Sequence, residues 1–244
     1  MRLLYNSPAK NWMESLPLGN GNIGLMLDGG VADEKIYLND DTLWSGYPKS
    51  HHNKKSAKNL SKIRQLIFDG EIGKAEKLIK QTSLGDWSES YEPLGTLEIK
   101  YENFNQYIDY IRTLDLKNGI HCSSFKANGN FVEKESFCSY PDKIAAIKIS
   151  AEKPIDFSVS ASSKLKYNII SKANELFICG NAPDKSTPNY CHLAVWPVRY
   201  NEKKAMAFCA GVKIVTDGKI IAVDNASKFP KASQRCFIFQ LKRL

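Results

Sequence analysis

The chain has 244 residues, 43% of them hydrophobic and 25% charged, a balance that fits a globular protein and excludes collagenous and disordered classes. No apolar stretch approaches the roughly 20 residues that a membrane-spanning helix needs, so no membrane partner is expected. The net charge of +8 comes from dispersed lysines with local pairs at Lys54-Lys55 and Lys203-Lys204, which reads as a solvated surface and not as a nucleic-acid interface.

The first eight residues, MRLLYNSP, hold no apolar run of signal-peptide length, which makes a cytoplasmic product the expectation. Residues 12–46 then concentrate two tryptophans, a run of glycines, several asparagines and a cluster of carboxylates. Plain core does not need the Asn and Asp, and a solvated face does not need the Trp. The mixture predicts a close-packed polar surface facing a ligand or another domain. Within it, 23–28 and 35–39 read as a hairpin turning at Gly29-Gly30. Over 56–80 the spacing changes. Leu60, Ile63 and Ile67 recur at helical intervals, as do Ala75, Leu78 and Ile79, with Gly70 between the runs as a C-terminal cap. Two short helices on the side of a sandwich are expected.

From Leu94 the strands become regular, at 94–101, 107–116, 119–127, 130–139, 143–151, 155–163, 165–170, 175–180, 191–199, 205–216 and 218–224. Asn128-Gly129 between alternating runs marks a two-residue hairpin. Gly180–Asn189, with two prolines, reads as the longest loop. So many strands with brief turns predict an all-β, antiparallel, two-sheet sandwich with one helical excursion. Residues 228–244, KFPKASQRCFIFQLKRL, are assigned to none of these strands.

Gly19, Gly21 and Gly24 form a G-x-G-x-x-G, with Asp41 at the distance that a dinucleotide fingerprint wants. Pro17 before it and Gly29-Gly30 soon after leave no room for the helix such a site opens, so a tight turn into a strand is the better reading. The acids Glu14, Asp28, Asp33, Glu34, Asp40 and Asp41 are candidate acid–base groups, though turn caps and surface charges account for most of them. Trp12 and Trp44 offer flat apolar faces with an N–H handle; packing is favoured over stacking on a sugar. The four histidines, His51, His52, His121 and His192, show no zinc-like spacing with cysteine, and no metal or cofactor is expected. The six cysteines, at 122, 138, 179, 191, 209 and 236, form no C-x-x-C pair and sit mostly in apolar runs. Buried free thiols are the default, disulfides or zinc the minority readings.

Ordered blocks of residues carry a resemblance. They read Trp12, Glu14, Leu16-Pro17-Leu18-Gly19-Asn20-Gly21, Ile23-Gly24, Gly29-Gly30, Glu34, Ile36, Leu38-Asn39 and Thr42-Leu43-Trp44-Ser45-Gly46. They continue through Ile63-Arg64, Phe68-Asp69-Gly70 and Ala75-Glu76. Further blocks are Tyr91-Glu92-Pro93-Leu94-Gly95, Tyr110-Ile111-Arg112, Leu114-Asp115-Leu116 and Phe137-Cys138-Ser139-Tyr140-Pro141-Asp142. This pattern resembles the N-terminal region of the alpha-L-fucosidases of glycoside hydrolase family 95. One departure is Asp40, where that pattern has Glu.

The resemblance implies a β-supersandwich over 1–225, with 226–244 as an atypical tail of a truncated chain and the family's catalytic (α/α)6 barrel absent. It implies an inverting hydrolysis of terminal alpha-L-fucosides in the whole enzyme, with L-galactose preferred by some relatives. The expected partners are that helical barrel and an oligosaccharide ending in fucose or a related sugar. On this reading the chain contributes no catalytic residue. Its candidates for a substrate rim or domain interface are Trp12, Glu14, Asn20, Asn39, Asp41 and Trp44, and Asp41, between Asn39 and Trp44, is expected to hold a polar partner. The rival is a freestanding carbohydrate-binding sandwich, which should keep a solvent-facing aromatic platform where a supporting domain would bury its aromatics or expose one large apolar patch.

Overall fold

The computed structural model describes residues 1–85, 88–172, 174–188, 190, 197–218, 221–223 and 226–242, the last two segments as backbone. Fourteen strands join into one antiparallel sheet that forks along its longest members. The strands of the first branch are Leu16–Gly19 (β2), Ile23–Leu27 (β3), Asp33–Asp40 (β4) and Gly95–Tyr101 (β5). The other branch holds Arg2–Tyr5 (β1), Tyr107–Asp115 (β6), Ile120–Ala127 (β7) and Asn130–Ser139 (β8). Both branches reach Ile144–Ser162 (β9), on whose other edge Ala226–Lys242 (β16) runs. β9 pairs with β8 over its first half and with β5 over its second, changing partner between Ala151 and Phe157. Beyond β16 the sheet continues through Ala207–Thr216 (β14), Glu175–Asn181 (β11) and Lys166–Lys172 (β10), with Ile221–Val223 (β15) pairing back on β16. A separate pair joins Lys185–Ser186 (β12) to Val198–Arg199 (β13).

The fork makes the sandwich. Side chains alternate across a strand, so each branch turns one apolar face inward. β4 buries Ile36 and Leu38, β5 Leu97 and Ile99, β7 Phe125 and Ala127, and β9 Phe157 and Val159, all in one core cluster. Tyr101, Phe104, Phe125 and Phe157 meet at ring-centroid distances of 5.5 to 5.9 Å. The Gly29-Gly30 turn lies where the branches touch. Gly29 has φ +69°, and a Cβ there would stand 2.5 Å from the Tyr110 hydroxyl and 2.8 Å from Arg112 Cδ. Only glycine allows both the backbone conformation and that close approach.

The Asn128-Gly129 hairpin is as expected, with φ of 52° and 67°. The two runs expected at 143–151 and 155–163 are one strand instead. Pro154 looks like a breaker, yet it falls where β9 changes partners and the β16 register slips, and an irregular stretch tolerates proline. The unplaced stretch after Asn225 includes a central strand, Ala226–Lys242, paired with β9 and β14. Ser56–Phe68 (α1) and Ile72–Thr82 (α2) form at the expected place, with Gly70 at φ +74° between them. They pack chiefly on each other and not on the sheet face, so Leu60, Ile67, Phe68 and Ile72 stay exposed.

The cysteine default is corrected for one pair. Cys179 and Cys209 stand opposite each other on β11 and β14 and form a disulfide, a register that spacing 30 residues apart could not reveal. Cys122 and Cys138 are free thiols, and burial pushes the Cys138 thiol up to about 11. Cys191 and His192 lie outside the described residues, as does most of the strand expected at 191–199.

Candidate functional site

The signature loops come together at one end of the β2–β5 branch. Asn11 caps the short 3-10 turn at Trp12–Glu14, its side-chain oxygen accepting the Met13 N–H at 2.9 Å. Glu14 accepts from the Lys10 N–H at 2.9 Å and the Asn11 amide at 3.3 Å, so its carboxylate holds this turn. Trp12 is left 53% exposed. Asn20 braces two layers. Its oxygen accepts the Asn22 and Ile23 N–H groups at 3.1 and 2.8 Å, and its amide donates to the Ser139 carbonyl of β8 at 2.7 Å.

Asp40 ends β4 with its carboxylate accepting from the Thr42 N–H at 2.8 Å and from the Thr42 hydroxyl. The Asp41 N–H donates to the Asn22 carbonyl at 3.0 Å, which ties the Asn20 loop to the Asp40–Trp44 loop. The Trp44 indole N–H donates to the Asp41 carbonyl at 3.1 Å. Its ring meets Tyr91 edge to face, with centroids 5.2 Å apart. The Tyr91 hydroxyl donates to the Asp40 carbonyl at 2.9 Å and has the Asn39 amide within hydrogen-bonding reach. Partial burial, together with the Asp40 and Asp41 charges, raises the Tyr91 phenol above its usual range despite that amide.

One expectation changes here. Asp41 offers its backbone to the network, while its side chain is exposed and accepts no hydrogen bond among the described residues; Asp40 holds the polar partner instead. Trp44 is 43% exposed and Tyr91 beside it 42%, so they form an open aromatic ledge, as a face that packs against another domain would in its absence.

Between Trp12 and Tyr91 lies a groove of about 780 Å³ on the outer face of β2–β5. Strand register lays its floor. Pro17, Met26, Tyr37, Thr96 and Ser162 are successive partners across five strands, and Gly24 opposite Asn39 forms the next row. Tyr37, Thr96, Ser162 and Lys164, none of them singled out from sequence, line it with Asn39. The signal was present in the outward positions of the alternating strands, but only the register shows that they align.

A second polar cluster is sealed between the layers. Arg112, Ser123 and Lys134 are cross-strand neighbours on β6, β7 and β8, all facing inward. Lys134 Nζ donates to Glu34 at 2.8 Å and to the Gly30 carbonyl at 2.6 Å. Arg112 donates to the Asp28 carbonyl at 3.1 Å, and Tyr110 to the Gly29 carbonyl at 2.7 Å. Desolvation raises the carboxyl of Glu34 against the opposing pull of Lys134, and that of Asp28 against its backbone N–H donors. His121 is 1% exposed, and burial followed by the Lys134 and Arg112 charges pushes its imidazole down to about 3.

Among the six candidate acids, then, Glu14, Asp28 and Asp40 accept backbone N–H groups and Glu34 is paired and sealed, while Asp33 and Asp41 are exposed. Among the described residues no three His, Cys, Asp or Glu side chains gather as a metal site would require. No helix among them is long and apolar enough to cross a membrane.

Comparison with known proteins gives a family and a set of relatives. The family described as glycosyl hydrolase family 65, N-terminal domain, matches residues 3–235. Alpha-L-fucosidase 2 of Arabidopsis thaliana is 27% identical over 223 residues, covering 88% of this chain and 26% of the relative. Probable alpha-fucosidase A of Aspergillus niger is 31% identical over 144 residues, 56% of this chain and 18% of the relative. The protein of the same description in Aspergillus oryzae is 30% identical over 158 residues, 61% of this chain and 21% of the relative. The chain thus spans about a quarter or less of the length of these relatives.

Proposed function

We propose, because this chain belongs to the glycosyl hydrolase family 65 N-terminal domain family, that it is the front sandwich of an alpha-L-fucosidase-like enzyme of glycoside hydrolase family 95. Its part in that enzyme is to support and border the active site. The relatives described as fucosidases and the signature over residues 12–46 favour this finer reading. In the whole enzyme, terminal alpha-L-fucose or the related L-galactose is released with inversion, and a helical barrel supplies the chemistry. Such a reaction needs one carboxyl to protonate the leaving oxygen and another group to activate water, about 6.5–9.5 Å apart across the sugar.

The observation that carries the supporting role is the use of the acids. Glu14 and Asp40 are fixed to local backbone, and Glu34 is held by Lys134 out of reach of solvent. A carboxylate that must exchange a proton with substrate needs access, which Glu34 lacks, while Glu14 and Asp40 are already engaged by local N–H groups. The exposed rings of Trp12, Trp44 and Tyr91 favour a second reading, a carbohydrate-binding sandwich that works apart from any barrel.

A chromogenic alpha-L-fucoside incubated with the purified chain tests the first reading. No turnover above buffer is expected. Sustained turnover that Asp41→Asn or Glu14→Gln abolishes would move catalysis into the signature and overturn it.

A further inference from the structure

We infer that the groove on the outer face of β2–β5 is a binding site for a neutral oligosaccharide. The inference rests on the reading of the chain as a glycoside hydrolase front domain and adds a ligand to a surface otherwise assigned only to support.

Shape comes first. At about 780 Å³ the groove falls within the roughly 300–1,000 Å³ of small-ligand sites. Its floor is regular sheet, in which the small Gly24 and Thr96 flank the bulkier cross-strand pair Met26 and Tyr37. Rigid sheet holds a recognition surface better than mobile loops do. The walls are aromatic. Trp12 stands at one side on a turn locked by Asn11 and Glu14, and Tyr91 at the other, propped by Trp44 and by its bond to the Asp40 carbonyl. Both rings are pre-positioned yet about half exposed, so a ligand gains their faces without paying to order them.

Chemistry comes second. A sugar ring presents C–H faces and equatorial or axial hydroxyls, and it wants an aromatic face beside hydroxyl, amide and ammonium groups. The groove supplies the Thr96 and Ser162 hydroxyls from one cross-strand row, the Asn39 amide from the next, and the Lys164 ammonium at the rim. No carboxylate lines it, and Lys164 is its one charged lining side chain, which suits a neutral ligand. The Tyr91 hydroxyl gives its proton to the Asp40 carbonyl, so it offers a ligand its ring face and an acceptor oxygen.

The experiment is calorimetric titration of the whole chain with a fucosylated lactose trisaccharide, with tryptophan fluorescence followed in parallel. Saturable binding is expected. Trp12→Ala should weaken it about tenfold or more, and Trp12→Tyr by much less. Thr96→Val should weaken it with the melting temperature preserved, and Phe68→Ser on the distant α1 should leave it unchanged. Trp12 is exposed, so its loss leaves the fold intact. Absence of saturable binding, or binding indifferent to both Trp12→Ala and Thr96→Val, overturns the inference and leaves the groove as a docking face for another domain. The two readings fail separately. Turnover of a fucoside by the chain would sink the supporting role, whereas loss of the binding signal sinks only the groove.

Discussion

Two polar regions of this domain are built in opposite ways. Between the layers, Glu34, Lys134, Arg112 and His121 are each at most 2% exposed, and the charged groups are held at contact distance. On the outer face, the rings of Trp12, Trp44 and Tyr91 are about half exposed, and Trp44 and Tyr91 are fixed through bonds to backbone carbonyls. A buried charge must find its partner in the fold itself, since desolvation is too costly otherwise. An exposed aromatic held from behind has one face left over. The first region therefore serves specification of how the branches meet, and the second serves recognition.

The difference breaks down if the interior pair is dispensable. Lys134→Met strands the Glu34 carboxylate in a sealed site and should destabilise the domain by about 3–5 kcal/mol. Replacing both, Glu34→Met with Lys134→Met, should recover most of that loss, because a well-packed apolar pair often matches a buried ion pair. Urea titration of the parent and the two variants measures it. A single variant as stable as the parent would show that the ion pair plays no part in joining the layers.

The same interior predicts a pH response of known sign. The folded-state pKa of His121 lies at about 3 against the usual 6.5, so the unfolded chain binds a proton that the folded chain refuses between those values. Stability from this group is full above pH 6.5 and falls as pH drops towards 3, by at most about 1.4 kcal/mol per pH unit. Glu34 works the other way. Its raised carboxyl favours the folded state as pH falls from its folded pKa towards 4.5, which opposes the descent. His121→Leu should flatten the fall in melting temperature between pH 6.5 and 4. An unchanged pH profile would mean that the imidazole reaches water, and the interior would no longer count as sealed.

Sequence reading reached the outer region more readily than the inner one. The alternation in 107–139 gave β6, β7 and β8 nearly residue for residue, because half-buried antiparallel strands carry a period of two. It did not mark Arg112 and Lys134 as interior, since a lone basic residue in an alternating strand looks the same whether it points in or out until a carboxylate is found opposite. Glu34 lies 100 residues from its partner Lys134. The signature residues were legible as a group, and Asn20, Asn39, Asp41 and Trp44 do gather. The groove floor was not, because it depends on the register of five strands and on β9 passing through Pro154. The short β2, with Pro17 inside it, carries too few residues for any periodic signal.

The smallest expected effect sharpens the contrast most. Trp44 lends its ring edge to face to Tyr91 and its N–H to the Asp41 carbonyl, and 43% of it remains exposed. The ring pair contributes about 0.5–1.5 kcal/mol beyond area, and the single hydrogen bond about 0.5–1.5 more. Trp44→Ala should therefore cost clearly less stability than Lys134→Met, while freeing Tyr91 on one side. If the ledge exists for recognition, the variant should pair that modest destabilisation with a disproportionate loss elsewhere. In a full-length relative carrying the equivalent change, that loss is either separate melting of the front and following domains with faster proteolysis between them, or weakened sugar binding with docking intact. The first outcome assigns the Trp44 side of the ledge to the neighbouring domain, and the second assigns it to the groove. A stability cost as large as that of Lys134→Met, with neither functional loss, would make the ledge an extension of the core, and the division between the two regions would fall.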